Sequence, residues 1–304
     1  MNDKHGIRIE IFNSTLALLQ QGWYIATSGK NVELPPVDKV MAAAKMYREP
    51  VSVMEEPAES VDTKVRVEDK DCVMAAKDLI DAGFNPAMLN LADLYTPGGL
   101  VEYGSGAQEE NLCRRSNLVL SLYQFSAARV QQYPDLGLVC HQEQYPMDER
   151  FGGIYSGIVT FYRGTEQLGS MLEDEPVNIP VISVAALSSP RIGADGMMFP
   201  EEADITLDKM RTIFRIGLLH GHDSWVLSAM GCGAFANPPA HIAKLFHQVI
   251  LEKEFRNRFR LIDFAILDGY RTGLRHNPEG NLLPFQREFS VFKSNCHDGP
   301  RQTE

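Results

Sequence analysis

The stretch SWVLSAMGCGAFANPPAHIAKLF, residues 224–246, restricts the fold more than any other part of the chain. An apolar run enters a glycine-rich loop, and a proline then opens a helical pattern. Proline is favoured at the first helical position, where its missing N–H has no intrahelical bond to lose. The stretch therefore reads as strand (224–229), loop (231–238) and helix (240–252). The same order recurs upstream. Residues 61–67 alternate as a strand does, 72–82 read as a helix stopped by Gly83, and 86–92 form a short apolar strand that leads into a second glycine loop, 97–106. Further strands are expected at 154–162, 179–186 and 261–267, and a helix at 207–220 with Gly221 at its end. Strands that alternate with helices argue for an α/β fold, a sheet packed between helices. Ligands of such sheets sit at the carboxyl ends of the strands, where both glycine loops fall.

Residues before 61 follow another pattern. The spacing predicts an amphipathic helix over 6–21, a short hairpin from 23–27 and 31–33, and a second helix over 35–47. The Glu- and Pro-rich stretch 49–60 is the expected linker. The expected division is an N-terminal, mainly helical extension over 1–60, packed on a core domain over 61–295. A chain of 304 residues has room for either one large domain or two modest ones.

The formal net charge of −11 argues against broad nucleic-acid binding, which needs a basic face. No apolar run approaches ~18 residues, so no membrane span is expected. The start, MNDKHGIRIE, lacks the regions of a signal peptide, so no export is expected and a cytoplasmic location follows. Cys72, Cys113, Cys140, Cys232 and Cys296 are scattered and read as free thiols of a reducing compartment.

Two segments carry candidate chemistry. In the loop Gly231, Cys232, Gly233, Ala234, Phe235, successive N–H groups can converge on an anion ahead of a helix N-terminus. The competing reading is a tight turn that needs glycine for its dihedrals alone. No Lys-Ser or Lys-Thr follows, so it is not a P-loop. The second segment is Gln108-Glu109-Glu110, directly after the loop 97–106. Neighbouring helical side chains point about 100° apart, so the two acids are not expected to face each other across one bond. One can act on a substrate while the other binds hydroxyls. The competing reading is a solvated helix start whose acids pair with Arg114 and Arg115. His220 and His222 have no third ligand at metal spacing, and neither metal nor cofactor is expected. His141 and Glu143 lie in a region without assignment. No GxSxG occurs.

LNLADLYTPGG followed by seven residues and then QEE resembles the microbial type of poly(ADP-ribose) glycohydrolase, a family of the macrodomain fold. Its signature is three glycines, six to eight residues, then Gln-Glu-Glu. Here the triplet is Gly98-Gly99-Leu100, and 101–107 supply the seven. GWYIATSGKNVELP, IYSGIVTFYRG, VISVAALSSP and VLSAMGCGAFANPPAHIAKLF continue the likeness over nearly all of 6–290. The resemblance implies a macrodomain-like mixed β-sheet between helices, and hydrolysis of the ribose–ribose O-glycosidic bond of poly(ADP-ribose) on modified proteins. It implies Glu110 as general acid/base and Glu109 on the ribose hydroxyls. Gly98 and Gly99 would contact the distal ribose and phosphate, with Gln108 in the same segment. Gly231 to Phe235 would bracket the diphosphate. Leu100 stands where the family has a third glycine, and Asp93 where it has an asparagine that touches the distal ribose. A leucine there is expected to narrow the pocket or redirect the loop, and a carboxylate at 93 to add charge near the diphosphate. Both leave open a hydrolase of mono-ADP-ribosyl or other ADP-ribose derivatives, or an ADP-ribose-binding macrodomain without turnover.

Overall fold

The structure, a computed structural model, describes residues 4–53, 61–268 and 272–290. Most of the expected linker, 54–60, and Cys296 lie outside the described residues. In chain order the strands are β1 (Trp23–Ile25), β2 (Asn31–Glu33), β3 (Ala44–Tyr47), β4 (Lys64–Glu68), β5 (Pro86–Ala92), β6 (Gly153–Ser156), β7 (Thr160–Arg163), β8 (Leu172–Asn178), β9 (Val181–Ala185), β10 (Ser224–Leu227) and β11 (Leu261–Ala265). The α-helices are α1 (Lys4–Gln21), α2 (Val37–Ala42), α3 (Cys72–Asp81), α4 (Gln108–Arg115), α5 (Leu118–Tyr123), α6 (Ala127–Gln132), α7 (Pro200–Leu219), α8 (Pro239–Leu251) and α9 (Leu282–Glu288). The chain divides into two compact units, Met1–Val51 with Ala87–Ala186 and Ser52–Pro86 with Leu187–Glu304.

In the first unit β3 runs antiparallel to β6, β6 antiparallel to β9, and β9 parallel to β5. Met88, Leu89, Ile154, Ile182 and Val184 bury this sheet's core. The hairpin β1–β2 forms as expected. The helix expected over 35–47 does not. It stops after α2, and 44–47 become the strand β3, with Met46 opposite Ile154. Ala-Lys-Met favours a helix locally, but pairing with β6 buries Met46 and Tyr47, and tertiary packing outweighs propensity. The strand expected over 154–162 splits, because β6 pairs with β3 and β9 while β7 pairs with β8.

Helix α1 buries only the narrow stripe Phe12, Thr15 and Leu19. Thr15 Oγ donates to the Arg114 carbonyl at 2.6 Å, and Arg8 pairs with Glu166 at 2.9 Å. A Cβ on Gly104 or Gly106 would overlap the His5 backbone or the Arg8 guanidinium. Glycine at both positions thus lets the loop before α4 lie against α1.

In the second unit β10, β11 and β4 run parallel. Phe214, Trp225, Phe246, Phe255 and Phe259 are fully buried, and Phe214 packs against each of the other four rings. Glycine inside a helix costs ~1 kcal/mol relative to alanine. Gly217 offsets that by letting α7 close on Trp225, whose ring a Cβ would overlap. Asp71 caps α3 by accepting from the Val73 and Met74 N–H groups at 3.1 Å. Helix α8 opens at Pro239. His220 caps α7, and burial lowers the pKa of His222. Among the described residues no group of three His, Cys, Asp or Glu could hold a metal ion, and no helix is long and apolar enough to cross a membrane.

Candidate active site

Strand β5 is buried along its length except for Leu91, and Asn90 is its one polar residue, fully buried. Gln108 opens α4 and uses its amide as a strand would. Its Oε1 accepts from the Leu91 N–H at 2.8 Å and its Nε2 donates to the Leu89 carbonyl at 2.8 Å. One side chain thereby locks the first turn of α4 onto β5. Glu109 then meets Asn90, whose Nδ2 donates to Glu109 Oε1 at 3.2 Å and to Ser183 Oγ on β9 at 3.0 Å. Glu109 Oε2 accepts from the Asp93 N–H at 2.8 Å. Glu110 Oε1 accepts from the Leu100 N–H at 3.0 Å. Glu110 Oε2 is buried and has no hydrogen-bond partner among the described residues.

Gly98 and Gly99 lie at φ 75° and 57°, a region that L side chains rarely adopt. A Cβ on Gly99 would stand 2.6 Å from Glu110 Oε1 and 3.2 Å from Glu109 Oε2. Both acids therefore converge on one loop residue. The 100° offset of their Cα positions does not keep them apart, because both flexible side chains bend back to N–H groups of the 93–100 segment. The solvated-helix reading also falls. Glu109 and Glu110 are 3% and 6% exposed. Arg114 Nη1 donates to the Ser105 carbonyl at 2.7 Å, and Arg115 donates to the Arg163 carbonyl and to Asn111 Oδ1.

The two departures from the family pattern acquire concrete settings. Leu100 sits at φ −101° with its side chain 56% exposed, so its backbone does not call for glycine. Asp93 Oδ1 accepts from the Tyr95 and Thr96 N–H groups at 2.8 Å each. An asparagine would present the same acceptor.

Burial raises the Glu109 pKa well above the usual carboxylate range, and the charges of Glu110 and Asp93 add to this against the hydrogen bonds from Asp93 and Asn90. Cys113 lies beneath Gly98, its Sγ 3.5 Å from where a Cβ would stand, and burial and the two acids hold it as a thiol. Tyr123 borders the same spot at 3.4 Å. The hydroxyls of Tyr123 and Tyr145 are buried without a hydrogen-bond partner among the described residues, and burial raises both pKa values. Sequence reasoning missed Asn90, Ser183, Cys113, Tyr123 and Tyr145 as neighbours of the acids. Asn90 alone carried a signal, a polar residue inside the apolar run AMLNLA.

A carboxyl whose folded-state pKa is raised stabilises the fold fully below its unfolded value, and that stability is lost as pH rises through the folded value. Wild type is therefore expected to lose melting temperature relative to Glu109→Gln as pH climbs above the ordinary carboxylate range. Parallel melting curves for the two proteins from about pH 4 to about pH 9 would contradict a raised Glu109 pKa.

The loop Gly231 to Phe235 belongs to the second unit and follows β10. Four of its five carbonyls are engaged by protein donors. Gly231 accepts from the Asn237 N–H and Nδ2, Cys232 from His276 Nε2 and Asn277 Nδ2, Gly233 from the Ala236 N–H, and Phe235 from the Ser189 N–H and Asn237 Nδ2. Among the described residues the N–H groups of Gly233, Ala234 and Phe235 have no acceptor. Gly231 needs glycine for its φ of 72°. Gly233 does not lie in the left-handed region, and a Cβ there would meet nothing within 4 Å. A turn that uses glycine for dihedrals alone accounts for Gly231 and leaves Gly233 unexplained.

No curated protein sequence matches this chain. Among solved structures it is similar to poly(ADP-ribose) glycohydrolase (PARG) from Thermomonospora curvata bound to the inhibitor ADP-HPD. That match has 29% identity and a TM-score of 0.73, over 92% of this chain and 98% of that one. Another structure of the T. curvata protein matches at 27% identity and a TM-score of 0.72 over the same shares. PARG from Deinococcus radiodurans in complex with ADP-ribose is 24% identical, with a TM-score of 0.62 over 86% of this chain and 99% of that one, and shares the fold. The macrodomain-like α/β arrangement implied by the sequence is the one these structures carry. The family described as the catalytic domain of microbial-type PARG matches residues 13–164, half of the chain, which holds β5, α4 and both acids, and to that family the chain belongs.

Proposed function

We propose that the chain hydrolyses the ribose–ribose O-glycosidic bond of poly(ADP-ribose) carried on modified proteins, and releases ADP-ribose. The observation that carries this reading is Glu110, a buried carboxyl group with one oxygen fixed by the Leu100 N–H and the other without a partner among the described residues, beside the glycine loop. Buried polar atoms are nearly always paired, so an orphan oxygen suits a proton in transit. Glu110 gives that proton to the leaving ribose oxygen as the C1″–O bond breaks and oxocarbenium-like charge develops. It then takes a proton from the water that adds to C1″. Glu109, its pKa raised by burial and its carboxyl braced by Asn90, orients ribose hydroxyls. Gly98, Gly99 and Asp93 border the distal ribose. The N–H groups of Gly233, Ala234 and Phe235 serve the diphosphate. The T. curvata structure with ADP-HPD and the D. radiodurans structure with ADP-ribose support a ligand of this class. The free cysteines support a cytoplasmic setting.

The test is incubation with automodified polymerase and with mono-ADP-ribosylated protein, with and without a chelator. ADP-ribose is expected from the polymer in both conditions. Release only from the mono-modified protein would move the assignment to a mono-ADP-ribosyl hydrolase, tight ADP-ribose binding without release to a binding module, and strict dependence on a divalent ion would contradict the mechanism.

The diphosphate role predicts that Gly233→Val weakens ADP-ribose binding about tenfold or more, and more than Cys232→Ala does. A Cβ at 233 meets no protein atom within 4 Å, so a branched side chain there projects into the approach to the loop, whereas the Cys232 thiol is buried. Equal affinities by calorimetry would reduce the loop to a turn.

A further inference from the structure

We infer that Asn277 and His276 are positioning residues that aim the phosphate-binding loop by holding the Cys232 carbonyl. This rests on the diphosphate role proposed for that loop. His276 Nε2 lies 2.8 Å and Asn277 Nδ2 3.2 Å from the Cys232 oxygen. A carbonyl only accepts, so His276 is held as the Nε2–H form. The peptide between Cys232 and Gly233 is planar and trans, so its N–H points opposite to its C=O. Two donors on the oxygen therefore fix the Gly233 N–H on the edge turned away from the 273–281 segment. A carbonyl free to flip would present a negative dipole end to the anion in place of that N–H.

Asn277 is itself held rigidly. It is 1% exposed, its Oδ1 accepts from the Leu274 N–H at 2.9 Å, and its Nδ2 also donates to Asn281 Oδ1 at 2.9 Å. Asn281 in turn donates its N–H to Asp268 Oδ1 at 2.8 Å. The loop from 231 to 235 thus owes its orientation to a segment more than forty residues downstream, which no spacing in the loop reveals.

The experiment compares ADP-ribose with adenosine, which lacks the diphosphate, by calorimetry. Asn277→Asp keeps the acceptor for Leu274 and removes the donor to Cys232. It is expected to weaken ADP-ribose binding about tenfold, to leave adenosine binding within about twofold, and to raise KM for the polymer with kcat within about threefold. His276→Leu is expected to act in the same direction, and His276→Gln, whose amide can donate, to restore most of the affinity. The histidine pair carries the test if Asn277→Asp fails to fold. Equal losses for both ligands would mark a merely structural role and overturn the inference. So would wild-type ADP-ribose affinity in Asn277→Asp and His276→Leu alongside a weakened Gly233→Val. If Gly233→Val also binds as wild type, the diphosphate role of the loop fails, and the inference with it.

Discussion

Glu110→Gln is expected to lower turnover on poly(ADP-ribose) about 10²–10⁴-fold, the usual worth of a general acid, while ADP-ribose affinity stays within a few-fold. The substitution keeps the volume of the side chain. The glutamine oxygen can accept from the Leu100 N–H as Glu110 Oε1 does at 3.0 Å. The amide nitrogen then stands where the unpartnered Oε2 stood, with no proton it can usefully give up. Loop geometry is thus retained and only the transferable proton is lost, so kcat and kcat/KM should fall together. Glu109→Gln should behave differently. Glu109 is braced on both oxygens by Asn90 and the Asp93 N–H, and its loss should raise KM as well as lower kcat. Single-turnover release of ADP-ribose, with calorimetry on the same preparations, separates the two. A Glu110→Gln protein as active as wild type would remove this acid from the mechanism.

Gly99→Ala should cost nearly as much without touching either acid. The new methyl would stand 2.6 Å from Glu110 Oε1, far inside van der Waals contact, on a residue at φ 57°. Either the loop moves or Glu110 does. A misplacement of about 1 Å at a reacting group can cost about 10²-fold in rate, and that is the expected loss in kcat. Strain at a left-handed non-glycine residue adds on the order of 1–3 kcal/mol of destabilisation, visible as a lower melting temperature. Leu100→Gly is the informative neighbour. It restores the family's glycine triplet, yet Leu100 is 56% exposed with ordinary dihedrals, so activity should stay within about threefold. A Gly99→Ala enzyme with wild-type kcat would show that the acids need no contact with this loop, and a large gain from Leu100→Gly would show that the leucine obstructs the ligand.

The local signals in the sequence and the long-range ones behave differently, and the failures share one cause. Helix α3 with its stop at Gly83, strand β5, and the strand–loop–helix passage into α8 at Pro239 follow from side-chain periodicity, proline and glycine, which act within a few residues of themselves. The segment 44–47 was unreadable because its pairing with β6 spans more than a hundred residues, and β6 and β7 looked like one strand because their partners differ only in space.

The acids divide along the same line. By itself the sequence determined that a glycine loop and a Gln-Glu-Glu segment follow a buried strand, since each is written in consecutive residues. Only the tertiary structure decided that Gln108 is spent on the β5 backbone, that Asn90 braces Glu109, and that both carboxyl groups converge on Gly99 in a place dry enough to raise the pKa of Glu109. Burial is a property of what surrounds a residue, and the surroundings of Glu109 and Glu110 come from β5, β9 and the loop as well as from α4. No pattern within α4 could have told two buried, unequal acids from a solvated helix start.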